Sequence, residues 1–333
     1  MAYKLFSYIV RHQLLMVFFI VVLGWLVFLL RDIITAIFIS YILMASLLPA
    51  VHFFQRKGLP NLVAVLIPFL STLVILFLLI LPLIPFTVSQ VQSLLGNFPE
   101  YIDQAGKTLG FGIDAKSIEN ALTSELNNLG KNAFAVTSAV FGGVFSTVTI
   151  LIVAFYLLLY HEKFKHAIAS IFPKRDREDV FEILGQVDDK LGGWFRGQLT
   201  LGFAIGLVTF LALSILGLPF ALPLAVLAGL LEAIPTLGPT LAAVPAIIVA
   251  LTVSPSLAVL VIITYIVIQA LENNILVPKI MQRAVGLNPV IVILGVMIGA
   301  NLMGVMGALL SIPFLSFIIV LYQSLDKKFD KAS

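Results

Sequence analysis

Eight apolar stretches divide this chain, and their lengths restrict what it can fold into more than any motif does. Those at 14–30, 33–55, 60–86, 138–160, 199–216 and 256–277 match the roughly 17–25 residues with which a helix crosses a hydrocarbon core. Two more, 219–252 and 288–322, are too long for one ordinary span and are punctuated by proline and glycine, which interrupt helices. Apolar residues fill 60% of the 333 positions and charged residues 11%, against about 45–50% and 25% in soluble domains. The expected class is an all-α polytopic membrane protein. Lys4 and Arg11 before the first stretch resemble a signal peptide, but no small-residue cleavage site follows and further spans do, so an uncleaved first span is expected.

Lysine and arginine concentrate on the cytoplasmic side of membrane proteins. Lys4 and Arg11, Arg56 and Lys57, the group Lys163, Lys165, Lys174, Arg175 and Arg177, and finally Lys327, Lys328 and Lys331 are therefore expected inside, with both termini. The insertion 88–137, with five acids against three lysines, falls outside; Ile118, Leu122, Leu126 and Leu129 recur there at helical spacing. In the second insertion, 161–198, an apolar stripe of Val180, Ile183, Leu184, Val187 and Leu191 predicts an amphipathic helix. It suits either the membrane surface or packing on another subunit. The organisation expected is a helical scaffold over 1–87, an extracytoplasmic insertion at 88–137, a span at 138–160, a cytoplasmic amphipathic segment at 161–198, a transport core at 199–322 and a cytoplasmic tail at 323–333.

The two long stretches share a pattern. One reads Pro223-x5-Gly229-x8-Gly238-x6-Pro245, the other Pro289-x5-Gly295-x8-Gly304-x8-Pro313. If each is a re-entrant hairpin, the chain makes about six full crossings, with the hairpins entering from opposite faces and Lys279 and Arg283 inside. If each crosses once, there are eight, and those residues lie outside. The basic residues favour the hairpins. Paired Gly/Pro-broken segments point to a transporter's binding site.

Within the first of these stretches, a single acid precedes the break in Leu230-Leu231-Glu232-Ala233-Ile234-Pro235-Thr236-Leu237-Gly238-Pro239. A charged side chain near the bilayer centre costs about 2.5–3.5 kcal/mol by insertion measurements, and such residues usually mark pathways. Glu232, Pro235, Gly238 and Pro239 are thus expected to line a polar path, although Glu232 also suits a partner such as Arg196 or a half-helix cap. The sixth span ends with Gln269, Glu272, Asn273 and Asn274; the first three share a helix face at i, i+3 and i+4. They suit the same path or a structural network. Arg196 and Gln198 lie where a cytoplasmic mouth would be, unless Trp194 and Arg196 anchor the interface; Asn301 falls at the tip of the second hairpin. The four histidines lie in loops or at span ends without metal-ligand spacing, cysteine is absent, and no Walker, dinucleotide or serine-elbow motif occurs. No cofactor and no enzymatic activity are expected, and a net charge of +3 spread over short loops does not imply nucleic acid.

Together, "WFRGQL" at 194–199, "EAIPTLGPTLAAVP" at 232–245 and "QALENNILVPKIMQRAVGLNPVIVILGVMIGANLMGVMGALLSIPF" at 269–314 resemble the AI-2E family of bacterial transporters, also called the PerM family of permeases. The family usually has an aromatic after the first proline of 232–245; Thr236 stands there here. The resemblance implies ATP-independent transport of a small polar solute across the bacterial plasma membrane, with the quorum-sensing signal autoinducer-2 as the namesake cargo. Some relatives resemble sodium/proton antiporters instead. A hydroxyl-rich solute would use Gln269, Asn273, Asn274 and Asn301, whereas a cation would lean on Glu232 and Glu272. A non-transporting membrane scaffold or envelope-stress protein is the competing class. The apolar first spans and polar later ones also suggest a homo-oligomer held by residues 1–160, with each path running through 190–322. Cysteine introduced at Lys279 is expected to react with impermeant reagents only from the cytoplasm; reaction from outside overturns the hairpin arrangement.

Overall fold

A computed structural model describes residues 13–75, 133–234, 237–281 and 288–330, with single positions at 78 and 100. Nearly all of the 88–137 insertion, the end of the third stretch, Pro235 and Arg283 lie outside the described residues. The described chain is helical: α1 Gln13–Leu29, α2 Arg31–Arg56, α3 Asn61–Ile75, α4 Ala133–Leu159, α5 His161–Ile171, α6 Arg177–Ile215, α7 Ala221–Leu231, α8 Leu237–Val253, α9 Pro255–Leu271, α10 Val277–Met281 and α11 Pro289–Asp330. A π turn, Glu272–Leu276, joins α9 to α10. By length and composition four segments, Arg31–Arg56, Lys174–Ile215, Pro255–Met281 and Val290–Ser324, the last of which is interrupted at Met303 and Gly304, are long and apolar enough to cross a membrane. A fifth is available if α4 and α5, bent by 79° at Tyr160, count as one. The chain is a multi-pass membrane protein.

Both long stretches fold back on themselves. In the first, α7 ends in tight turns, with Ala233 and Ile234 amides bonding the carbonyls of Leu230 and Leu231. The start of α8 then lies directly on that end: a side chain at Gly238 would strike the Leu231 carbonyl. In the second, Met303 and Gly304 leave helical geometry, and Gly304 has φ 62°, a left-handed conformation that glycine adopts without steric cost. Gly299 then faces Gly307, and Gly295 faces Leu315, so the arms run antiparallel with backbones touching. Lipid exerts no hydrophobic drive between helices, and close contact between small residues is what holds such arms together. Neither stretch is one straight helix.

The amphipathic segment at 161–198 and the span at 199–216 are not separate elements. From Arg177 to Ile215 they form one helix of 39 residues. Its expected stripe packs within the chain: Val187 and Leu191 meet Ile42 of α2 and Ile312 and Val320 of α11. Trp194 belongs to that cluster at 6% exposure, so it is a core side chain here rather than an exposed interfacial ring. A second cluster joins α2, α3 and α4 through Met44, Leu48, Val65 and Leu158. The third and largest unites α6, α7, α8 and α9 through Leu201, Ile205, Ala228, Ala246 and Val261.

The α2–α6 contact follows from one missing donor. Pro49 lies inside α2 and has no N–H, so the Ala45 carbonyl, four residues earlier, loses its intrahelical partner. Arg196 supplies one: its Nη1 donates to Ala45 O at 3.3 Å and to Ser46 O at 2.9 Å. Gly192, one turn earlier on α6, lets the two backbones meet at Ala45. Arg196→Ala is therefore expected to destabilise the protein by about 1–3 kcal/mol, the cost of an orphaned buried carbonyl. In a Pro49→Ala background, which restores the helical donor, the loss shrinks; a thermal-unfolding double-mutant cycle measures the coupling, and additive effects contradict the assignment.

Candidate functional site

Two acids from separate helices meet beside the first break. Glu232 caps α7 and is 3% exposed; Glu272 opens the π turn after α9 and is 6% exposed. Their carboxyl groups come within hydrogen-bonding reach of each other. Two amides complete the group. Gln198 of α6 donates from Nε2 to the Glu232 backbone carbonyl at 2.9 Å, and Gln269 of α9 donates from Nε2 to Glu272 Oε2 at 3.0 Å. Glu232 Oε2 is buried, without a protein hydrogen-bond partner whenever no proton is shared with Glu272. Gly238, buried, and Pro239, half-buried, form the first turn of α8 beside this end of α7. Proline suits a helix's first turn, where a missing N–H costs little, and the Gly238 amide bonds the Ile234 carbonyl at 2.9 Å.

Backbone chemistry puts Glu272 there. Pro278 lacks the N–H that would serve the Asn274 carbonyl, and its ring crowds that carbonyl. The helix widens just before it: the Val277 amide bonds Glu272 O, five residues back. Such single π turns recur at functional positions.

The structure separates the other expected residues from the acid pair. Asn273 and Asn274 are exposed, and Asn274 Nδ2 is used on the Ala270 carbonyl at 2.7 Å. The expected shared face holds for Gln269 and Glu272 but not for Asn273, which lies one position around a helix that has already begun to widen. Asn301 is exposed near the tip of the other hairpin. That tip borders a cavity of about 460 Å³ lined by Arg31, Asp32, Thr35, Ser146, Met303 and Gly304 among others. Arg196 serves α2 rather than Glu232.

A second buried polar group escaped the sequence reading. Asp188, 5% exposed, accepts from Tyr41 of α2, stands 2.9 Å from His161 Nε2 and lies 3.7 Å from Lys165 Nζ. It ties α2, α5 and α6 together at the bend after α4. In sequence Asp188 is one acid among seven in 161–198, with no apolar neighbourhood to single it out.

The family model described as AI-2E family transporter matches residues 14–327. The Bacillus subtilis (strain 168) protein described as "Putative transport protein YueF" is 28% identical over 304 residues, covering 83% of this chain and 82% of that protein. "Putative transport protein YrrI" of the same strain is 27% identical, covering 84% and 82%. "Putative permease PerM" of Escherichia coli K12 is 25% identical, covering 76% and 75%.

Gln198→Leu leaves the Glu232 carbonyl orphaned in a buried break, at an expected cost of about 1–3 kcal/mol. Asn273→Ala and Asn301→Ala, both exposed, are expected to stay within about 0.5 kcal/mol of the parent. Thermal unfolding in detergent compares the three; an equal effect of all of them contradicts the distinction.

Proposed function

The chain belongs to the AI-2E transporter family, and on that footing we propose that it is an ATP-independent secondary transporter whose coupling ion is carried by Glu232 and Glu272. One observation carries this reading: two buried carboxyl groups from separate helices stand side by side at a broken helix. Two neighbouring negative charges repel strongly away from water, so such a pair holds a proton between them or a cation in its place. Loading from one side of the membrane and release to the other then drives exchange. The re-formed contacts of α7 and α8 around the break supply the moving part, by alternating access between the two hairpins.

Cation/proton exchange is favoured over recognition of a hydroxyl-rich solute by the side chains gathered here. Among the described residues, Gln198 and Gln269 are the amides hydrogen-bonded to the two acids, and one proton of each is already engaged. Autoinducer-2 export remains the second reading, supported by the family's description. The lysine and arginine distribution supports a plasma-membrane orientation with both termini cytoplasmic, and the apolar N-terminal helices support a homo-oligomer with one path per protomer. Liposomes containing the protein, a pH dye, and either sodium or autoinducer-2 test the proposal. An imposed sodium or solute gradient is expected to move protons, and Glu232→Gln or Glu272→Gln to reduce that flux to the level of protein-free liposomes. Flux unaltered by both variants rejects the coupling role.

A further inference from the structure

A buried polar atom without a partner forfeits a hydrogen bond that water would supply, and such atoms are uncommon in folded proteins. Among the described residues, the side-chain atoms in this condition are Trp194 Nε1, Thr209 Oγ1 and Ser316 Oγ, together with Glu232 Oε2 whenever no proton is shared with Glu272. Their residues are 6%, 0%, 4% and 3% exposed. Buried polar groups nearer the N-terminal helices are satisfied: Ser40 donates to Ala36 O and is 3.0 Å from Ile150 O, and Asp188 has three partners.

Two of the four, Trp194 and Thr209, lie on α6, and the other two lie on α11 and at the end of α7, which pack against it. Ser316 lies one turn from both Ile312 and Val320, on the stripe of α11 that packs with Leu191 and Trp194. Glu232 is tied to α6 through Gln198. Trp194 and Thr209 are separated by about 22 Å of helix, most of the hydrocarbon thickness. The contact between α6 and α7 is moreover backbone on backbone: a side chain at Gly202 would stand 2.7 Å from the Gly229 carbonyl, and Gly206 adjoins Gly229 as well. At these glycines no side chain stands between the two helices, while Leu201, Ile205 and Ala228 pack beside them.

We propose that the faces of α6 turned toward α7 and α11 form the polar route through the protein, closed in this conformation, with Trp194, Glu232, Thr209 and Ser316 as the groups that water and the cargo's polar atoms contact when it opens. The inference rests on the transporter reading, since it names the route taken by the cargo. It explains why the unmet hydrogen-bonding capacity gathers on one helix and the two packed against it: each group is satisfied when the route is wet and unsatisfied only when it is shut.

The absence of cysteine from the sequence permits a direct test. Thr209→Cys and Ser316→Cys, both close in size to the parent, are compared with Val65→Cys and Val249→Cys, at parent positions that are 0% and 1% exposed. Each variant is reconstituted in liposomes and treated with a small charged methanethiosulfonate, which reacts only with hydrated thiolate. The thiols at 209 and 316 are expected to react at least about fivefold faster, the factor that roughly 1 kcal/mol of preferential wetting gives. A smaller ratio overturns the route. If a variant fails to fold, deuterium uptake by the unaltered chain reads the same access, with protection over 198–213 equal to that over 242–250 overturning it. Neither measurement involves cargo or a gradient, so a failed flux experiment with Glu232→Gln rejects the coupling role while leaving this result to stand or fall separately.

Discussion

Hydrocarbon offers no hydrogen bonds, so each interruption of a membrane helix has to be compensated from within the protein. Three interruptions here are met in three ways. Pro49 leaves the Ala45 carbonyl to the Arg196 guanidinium, a side chain from another helix. Pro278 is preceded by a π turn, in which the backbone shifts its own pairing by one residue. The end of α7 is met by tight turns and by the Gln198 amide on the Glu232 carbonyl. The arrangement of α2, α6 and the first hairpin follows from these repairs more than from apolar burial, because apolar side chains are equally content in lipid.

α6 carries most of the compensation. Within one helix, Asp188 collects Tyr41, His161 and Lys165, Gly192 and Arg196 seat against α2, and Gln198 holds the tip of the first hairpin. Its register on α2 therefore sets where the amide of Gln198 lies, and so where the acid pair is held. The same helix connects the cluster built on α2, α3 and α4 with the one built on α7, α8 and α9. The N-terminal helices and the acid pair are thus linked through a single continuous helix.

Part of the site was legible because of what it costs. Glu232 and Glu272 stand out in apolar sequence, where a charge is expensive, and they do form the pair. Gln269 was legible by its spacing from Glu272. Asn273, Asn274 and Asn301 look equally polar on the page, yet they are exposed, because widening of the helix and the turn at Gly304 determine which way each residue faces. Arg196 resembled a mouth residue but serves a proline gap about 150 positions away, and nothing local to either segment announces that pairing. Asp188 was hidden for the opposite reason, in a stretch where charges are ordinary.

By itself the sequence determined the class of the protein and the positions at which its helices break. Both are local properties: hydropathy is summed residue by residue, and proline and glycine act on their own backbone. It also determined that acids would have to be buried near those breaks. Only the tertiary structure decided which acid meets which, that α6 continues unbroken past 198, and that Val187 and Leu191 of the amphipathic stripe pack on α2 and α11. Those outcomes depend on pair contacts between residues far apart in the chain. Their energies come from fit and from the hydrogen bonds left unmet, and composition and periodicity hold no record of either.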